Sequence, residues 1–156
     1  MVQQKTATLT TIFSEVLANL AFMFTEDEPI DPTSGEVWLE TVISYRGPCT
    51  GTLRFRCSRD FSVLLAANLL GIDPDDNSAT LQSEDAVKEF MNIVCGQFVT
   101  AMHGMDDVYN LSIPQVRELP ETPDFSDGDD DATSTLSVDG HKVQLAYDPG
   151  DGGCEG

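Results

Sequence analysis

The residues of this sequence that are best placed to do chemistry lie in the segment SEDAVKEFMNIVCGQFVTAMHGM, residues 83–105. On a helix that turns about 100° per residue, Asp85, Glu89, Asn92 and Gly96 fall on one narrow stripe, opposite the apolar side. Glu89 and Asn92 are three residues apart, so their side chains are neighbours that point outward. A side-chain amide both donates and accepts hydrogen bonds, so an exposed asparagine at this position can hold a water molecule.

The residues alone leave two interpretations of this stripe open. A solvated polar face explains Glu89, because glutamate is a good helix former. It does not explain Gly96, since a glycine inside a helix costs about 1 kcal/mol relative to alanine, and it does not favour Asn92, which is a mediocre helix former. A glycine on an exposed line removes a side chain where another backbone can approach, and this indicates a face that docks a partner.

The other residues of the same segment predict how the helix packs. The polar stripe continues through Thr100 to His103, which lies about 20 Å beyond Glu89 along the axis and is too far away to share a site with it. The opposite arc is apolar and should be buried. Its members are Val87, Phe90, Met91, Val94, Phe98, Ala101, Met102 and Met105.

Periodicity predicts the elements that precede this helix. Alternation over residues 37–45 and again over residues 52–58 predicts a β-hairpin, with Arg54 and Arg56 turned away from the core. Residues 7–24 predict a first helix with an apolar face. That face contains Phe13, Val16, Leu17, Leu20 and Phe24.

Capping residues mark a second, short helix between the hairpin and the long helix. Its start is capped by Ser58 or Asp60, and it ends at Gly71. The following residues, 72–80, are rich in Asp, Asn and Ser and contain a proline, so they predict a loop.

The C-terminal third predicts further strands. One short strand is expected within residues 109–119, and two alternating runs around an Asp139–Gly140 turn predict a hairpin. Strands grouped in hairpins, beside helices that do not alternate with them one for one, predict an α+β fold with an antiparallel sheet and long helices packed on it in two layers. A single domain over residues 1–148 and a frayed tail over residues 149–156 complete the expectation.

Composition limits the classes of function. The chain has 156 residues, enough for one domain with its own core. Its 27 acidic and 8 basic residues give a formal net charge of −19, which argues against nucleic acid and anionic membranes as partners. The apolar run near the N-terminus contains Glu15, so we expect a core-facing helix there, with no membrane insertion and no secretion signal.

A metal or cofactor of the chain's own is not expected. The four cysteines form no CxxC pair and there are two histidines, which argues against zinc. Without an export signal, reduced thiols in the cytoplasm are the expectation. The acidic loop over residues 121–132 lacks the spacing and the terminal glutamate of a calcium-binding EF-hand, so a mobile surface loop is favoured.

Half of the basic residues are gathered in and around the first hairpin. A solvated strand face that offsets the acidic surface explains them, and docking of a partner is the alternative. They are Arg46, Arg54, Arg56 and Arg59.

The polar stripe also resembles a known signature. An acidic residue, a Glu–Asn pair and a glycine at this spacing, followed by a proline, are similar to the motif of the CheC/CheX/FliY family, bacterial chemotaxis phosphatases that act on the phosphorylated response regulator CheY. The residues concerned are Asp85, Glu89, Asn92, Gly96 and Pro114. The resemblance covers most of residues 7–147. It implies the family's fold, with an internal pseudo-repeat, and a phosphatase that hydrolyses the aspartyl phosphate of a CheY-type regulator.

The resemblance further implies a role for each residue of the motif. Glu89 and Asn92 would be the catalytic pair: Asn92 would orient the attacking water, and Glu89 would pair with a lysine in the regulator's active site. Gly96 would let the partner's backbone come close, and Asp85 would support partner binding from the first helical turn. The expected metal is a Mg²⁺ ion held by the regulator's own carboxylates.

Family members such as CheC carry the motif twice, and the first helix here matches a decayed copy. Glu15 corresponds to Glu89, but Ala18 stands in place of Asn92, and Phe22 in place of the glycine. A chain with a single intact motif resembles CheX, and this resemblance implies a homodimer. An outward-pointing Phe22 also needs cover from another element or a second subunit. The alternative function is a non-catalytic docking module of the same fold that binds a response regulator or a flagellar switch component.

Overall fold

The computed structural model describes residues 2–26, 37–104, 106, 108–123 and 133–149. Two long helices, two shorter ones and seven strands are found within these residues. In chain order they are α1 (Val2–Val16) with a π-helical turn (Leu17–Ala21), β1 (Thr25–Glu26), β2 (Trp38–Arg46), β3 (Thr50–Ser58), α2 (Arg59–Leu70), α3 (Asn77–Leu81), α4 (Ser83–His103), β4 (Asn110–Leu111), β5 (Gln115–Leu119), β6 (Thr133–Val138) and β7 (His141–Pro149).

The strands form one antiparallel sheet in the order β1-β6-β7-β3-β2-β4, with β5 also paired to β2. The register sets Ile43 opposite Leu53 and Phe55 opposite Leu145, so alternate side chains of the central strands share one face. These side chains join the buried sides of α1, α2 and α4 in one hydrophobic cluster. The helices therefore pack on one face of an open antiparallel sheet, and the predicted α+β, two-layer architecture is confirmed.

Aromatic contacts tie the two long helices to the sheet. The ring of Phe13 on α1 lies 5.1 Å from that of Phe55 on β3 and 5.3 Å from that of Phe90 on α4, measured between ring centroids. Because Phe13 touches both neighbours, α1 and α4 are held side by side over the sheet. None of the helices in the described part of the chain is long and apolar enough to cross a membrane.

Helix α4 buries most of the predicted arc. The prediction is wrong for Ala101, which is exposed because it borders an open groove rather than the core, and Met102 is half-buried. Met105 lies outside the described residues. The buried residues of the helix are Ser83, Val87, Phe90, Met91, Val94, Cys95, Phe98 and Val99.

His103 does not continue the exposed stripe, contrary to the prediction. It is half-buried, and its ring stacks on Tyr109 with centroids 5.1 Å apart and an angle of 20° between the ring planes. The ring of Tyr45 on β2 lies 5.8 Å away on another side. The cause is long-range: β4 pairs with β2, and this brings Tyr109 back over the end of α4.

A π-helical turn changes the buried face of the first helix. In the turn over Leu17–Ala21 each backbone hydrogen bond spans one residue more than in an α-helix, so the residues after it are shifted round the axis. The predicted burial of Leu20 and Phe24 is therefore wrong, since these side chains are 41% and 60% exposed, and Ala21 and Met23 are buried instead.

Phe22 ends this helix in an unusual conformation. Its φ of 54° and ψ of 35° are left-handed, and its backbone N–H donates to the carbonyl oxygen of Leu17. A left-handed cap of this kind is usually a glycine, because a Cβ atom there is crowded. The Phe22 side chain points outward, as the sequence analysis predicts, and is 73% exposed.

Helix α2 begins and ends as predicted, and of its two candidate caps Ser58 is the one that caps the helix. The Ser58 hydroxyl oxygen accepts from a backbone N–H of the first turn at 3.1 Å, and Gly71 ends the helix with a φ of 70°. The loop prediction over residues 72–80 missed α3. That helix is capped by Asp76, and at five residues it is too short to show a periodic pattern.

The C-terminal hairpin has the predicted turn. Asp139 and Gly140 both have positive φ, 47° and 84°, as the type I′ form of a two-residue hairpin turn requires. The single strand expected before it is two strands, β4 and β5. Strand β7 runs to Pro149, one residue into the expected tail, while residues 150–156 and 124–132 lie outside the described part of the chain.

On the face of the sheet away from the helices, arginines surround a buried carboxylate. Glu40 is 1% exposed, and its oxygens accept from Arg56 Nε at 2.7 Å and from Arg117 Nε at 2.9 Å, with Arg54 Nη1 at 3.4 Å. Burial raises the pKa of the Glu40 carboxyl, but hydrogen bonds and charge from Arg56 and Arg117 outweigh it and hold that pKa below its ordinary value. Two of the four grouped arginines thus take part in an internal ion-pair cluster.

The cysteines differ in state. Cys57 and Cys95 are free and buried, and burial raises the pKa of the Cys95 thiol to about 12, so it stays protonated and unreactive. Cys49 is disulfide-bonded, so the expectation of reduced thiols is wrong for this residue.

Candidate functional site

Helix α4 presents Glu89 and Asn92 on its exposed side. Both side chains are exposed because the apolar residues on the other side of the helix are held against α1, α2 and the sheet. Within the described residues, neither side chain is engaged in a hydrogen bond or an ion pair. An unengaged carboxylate and an unengaged amide, three residues apart, are free to contact another molecule.

Asp85 lies on the same exposed side, one turn before Glu89. It belongs to the first turn of α4, together with Glu84. A carboxylate in this position stabilises the helix, because the N-terminus carries a partial positive charge. Its location therefore fits a supporting residue at the start of the helix.

Gly96, one turn beyond Asn92, is not required by the packing of the protein itself. A Cβ atom built at this position would approach a single neighbour, Leu111 Cδ1, at 4.0 Å, which is an ordinary van der Waals distance. The helix has no positive φ at Gly96 to demand a glycine. The missing side chain leaves an open surface beside Asn92 and lowers helix stability without an internal benefit.

A shallow groove of about 680 Å³ runs beside Asn92 between α1, α4 and β4. Helix α1 forms one wall and the second half of α4 the other. Its lining is mixed, with aliphatic side chains, two amides, one hydroxyl and one carboxylate. The lining residues are Ile12, Glu15, Asn92, Ile93, Gly96, Gln97, Thr100, Ala101 and Leu111.

The structure brings Glu15 to this groove, and the sequence did not predict that. Glu15 is exposed, while Glu89, one turn before Asn92, does not line the groove. The resemblance had placed Glu15 in a separate, decayed copy of the motif. A periodic pattern shows only that Glu15 points away from the core of its own helix; which residues of α4 it faces depends on how the helices pack.

The groups at this site are suited to binding and orienting. Amide, hydroxyl and carboxylate side chains donate and accept hydrogen bonds, and an unactivated hydroxyl is a weak nucleophile. Among the described residues, no group of three or more His, Cys, Asp or Glu side chains is arranged to hold a metal ion. Through these hydrogen-bonding groups the site can dock a polar surface and hold a water molecule.

A comparison with protein families assigns the chain to one of them. The model of the chemotaxis phosphatase CheX matches residues 39–123, more than half of the chain. The chain belongs to the CheX family. The segment matched to CheX runs from β2 to just beyond β5 and contains all of α4, with Glu89, Asn92 and Gly96, whereas α1 and Glu15 precede it.

Solved structures of CheX proteins share the fold of this chain. CheX from Desulfovibrio desulfuricans is 14% identical, with a TM-score of 0.67 over 94% of this chain and 99% of its own. CheX from Vibrio vulnificus is 16% identical, with a TM-score of 0.61 over 93% and 99%. A chain of the CheX–CheY–BeF3–Mg²⁺ complex from Borrelia burgdorferi is 16% identical, with a TM-score of 0.58 over 92% and 96%. No curated protein matches the sequence significantly.

Proposed function

We propose that this CheX-family chain hydrolyses the aspartyl phosphate of a CheY-type response regulator. The observation that most supports the proposal is the exposed, unengaged pair of Glu89 and Asn92, which lies within the segment that matches the chemotaxis phosphatase family. One solved structure with the same fold comes from a complex of CheX with CheY from Borrelia burgdorferi, and this supports a CheY-type partner for the chain.

Asn92 orients the attacking water. An acyl phosphate is already reactive, so the phosphatase needs to dock on the regulator and to place a water molecule in line with the phosphorus atom. The Asn92 side chain can accept a hydrogen bond from that water through its oxygen and donate through its nitrogen, and this fixes the direction of attack. Its exposed position lets the amide enter a pocket of the partner.

Glu89, Gly96 and Asp85 dock the regulator. Glu89 pairs with the lysine of the regulator's active site and holds the two proteins in register, and it need not accept a proton. Gly96 leaves space for the partner's backbone, and Asp85 supports the contact at the start of the helix. The proposed reaction calls for no cofactor from this chain: a Mg²⁺ ion would be held by the regulator's carboxylates, where it would neutralise charge on the phosphoryl oxygens.

Phosphate release tests the proposal. The chain is mixed with a phosphorylated CheY-type regulator, and the release of inorganic phosphate is compared with that of the regulator alone. The proposed phosphatase accelerates release at catalytic concentrations. A regulator that binds the chain without faster release would support the docking module instead, which the unengaged Glu89–Asn92 surface also allows.

Replacement of Gly96 with Ala is expected to make the protein more stable but to weaken its binding of the regulator. Within the protein the added methyl group meets only Leu111 Cδ1 at 4.0 Å, so we expect the free energy of unfolding to rise by about 1 kcal/mol. The same methyl group stands where the regulator approaches, so the regulator concentration that half-saturates phosphate release should rise about tenfold. Urea denaturation and phosphate release measure the two effects. A variant that is more stable and fully active would remove Gly96 from the docking surface.

We also propose a homodimer in the cytoplasm, in which Phe22 is covered by the second copy. The location rests on the phosphorylated regulators that the reaction needs, which the cytoplasm holds, and not on the state of the thiols, since Cys49 is disulfide-bonded. Fractionation against periplasmic and membrane markers tests it.

Replacement of Phe22 with Gly should shift the dimer towards monomer. It removes the phenylalanine that is most exposed among the described residues. It also relieves a left-handed backbone conformation that costs about 1 kcal/mol for a residue with a side chain, so the monomer should remain folded. Light scattering measures the mass. The matched control is Leu81→Ser, which removes a similarly exposed apolar side chain from α3. A wild-type chain that is monomeric at high concentration would contradict the dimer.

A further inference from the structure

We infer that Glu15 is a partner-binding residue of the α4 site and pairs there with a basic side chain, lysine or arginine, of the regulator. The inference rests on the proposed function and adds a second carboxylate to it, carried by a different helix from Glu89. Sequence resemblance assigned Glu15 only to a copy of the motif that lacks its asparagine. The fold gives the residue another setting, in the wall of the groove beside the intact asparagine.

The position of Glu15 follows from the packing of α1 on α4. Phe13, two residues earlier, anchors α1 against Phe90 with ring centroids 5.3 Å apart. This contact turns Ile12 and Glu15 towards the exposed side of α4, where they share a groove with Asn92. A partner whose active site receives the Asn92 amide therefore also covers the Glu15 carboxylate.

The chemistry of the groove selects a cationic side chain with an aliphatic stem. Among the described residues that line it, Glu15 is the one that carries a charge, and the others are neutral. Ile12, Ile93 and Leu111 offer apolar contact for methylene groups, and the amides of Asn92 and Gln97 can accept hydrogen bonds from an ammonium or guanidinium group. Lysine and arginine combine these two features, and a groove with one carboxylate repels anionic side chains.

No contact within the described part of the protein explains why a glutamate occupies position 15. It is exposed, and the described residues provide neither a hydrogen bond nor an ion pair to its side chain. A carboxylate that is hydrated and unpaired in the free protein can gain a partner on binding at a small cost in desolvation. The copy of the motif on α1 has no amide to hold a water molecule, since Ala18 and Phe22 follow Glu15. The Glu15 carboxylate therefore has no catalytic partner on its own helix, and its proposed role is to bind the regulator at the Asn92 site.

The test compares Glu15→Gln with Glu121→Gln, which removes the same charge from an exposed position just after β5 that does not line the groove. The probe is a CheY-type regulator held in its phosphorylated form by beryllofluoride and Mg²⁺, with affinity measured at 0.05 M and 0.5 M salt. At low salt, Glu15→Gln should raise the Kd about fivefold, and Glu15→Lys should raise it further. At high salt the difference between Glu15→Gln and wild type should shrink, because the Debye length falls. Glu15→Asp should recover part of the affinity, and Glu121→Gln should match wild type.

Turnover distinguishes this inference from the proposed function. With phosphorylated regulator as substrate, Glu15→Gln should raise the half-saturating concentration and leave the maximal rate unchanged. Acceleration by wild type together with an unchanged Kd in Glu15→Gln would overturn the inference and leave the phosphatase standing. Equal losses in Glu15→Gln and Glu121→Gln would also overturn it, since they would report the total charge of the chain. A third result is possible: Glu15→Gln loses affinity in a salt-dependent way, but wild type does not accelerate phosphate release. This result would support the inference for a docking module and refute the phosphatase.

Discussion

Replacement of Asn92 with Ala is expected to lower the maximal rate of phosphate release about 100-fold, with little change in the Kd of the regulator. The amide is the group that holds the attacking water in line, and a methyl group can neither donate nor accept a hydrogen bond. The Asn92 side chain is exposed and unengaged, so its removal should leave the fold intact. The free energy of unfolding should rise slightly, by about 0.5 kcal/mol, because alanine is the better helix former. Single-turnover measurements at saturating concentrations of the chain isolate this step from binding.

The matched control is Asn19→Ala, which removes an exposed amide from the first helix. This amide is displaced from the position that corresponds to Asn92, so the control should retain the wild-type rate. Equal rates in wild type and Asn92→Ala would show that another group orients the water.

The second large effect is on stability. Replacement of Glu40 with Gln should lower the free energy of unfolding by about 2–3 kcal/mol, because it removes the charge that three guanidinium groups share. This loss of stability is at the low end for a buried ion pair, because solvent screens part of the interaction. Arg54 and Arg117 keep 35% and 63% of their side-chain surface in solvent. Urea denaturation measures the loss. Glu118→Gln on β5, where the carboxylate is exposed, is the control and should change stability by less than about 0.5 kcal/mol.

The effect of Glu40 should depend on pH with a defined sign. The pKa of this carboxyl in the folded protein lies below its ordinary value of 4.5. The ionised form therefore stabilises the fold above that value, and the contribution is lost as pH falls through the lower, folded pKa. Wild type and Glu40→Gln should differ most near neutral pH and converge in acid. A difference that stays constant from pH 7 to pH 3 would show that shape, rather than charge, sets the cost.

Local patterns predicted the elements that carry the candidate site. The exposed line of Asp85, Glu89 and Asn92 and the buried arc of α4 both follow from a helical period of 3.6, which depends only on neighbours within the helix. The alternation of the first hairpin and the turn at Asp139–Gly140 are equally local. The segment matched by the CheX family model contains the same line of residues.

The failures of prediction have causes that a periodic pattern does not contain. One extra residue in the π-helical turn moves Leu20 out of the core and Ala21 into it. His103 is half-buried because β4 returns to pair with β2 and brings Tyr109 over the end of α4. Glu15 meets the Asn92 groove because Phe13 docks α1 on α4. Each is a tertiary effect, set by contacts between segments that are distant in sequence.

The central claim is that a carboxylate and an amide on α4 act together on another protein's phosphorylated aspartate. The dependence of phosphate release on regulator concentration, measured for wild type and for Glu89→Gln, tests it most directly. We expect a wild-type curve that rises well above the rate of the regulator alone, and a Glu89→Gln curve that half-saturates at about tenfold higher concentration and reaches the same plateau. A wild-type curve no faster than the regulator alone would contradict the account, as would a Glu89→Gln curve that superimposes on the wild type.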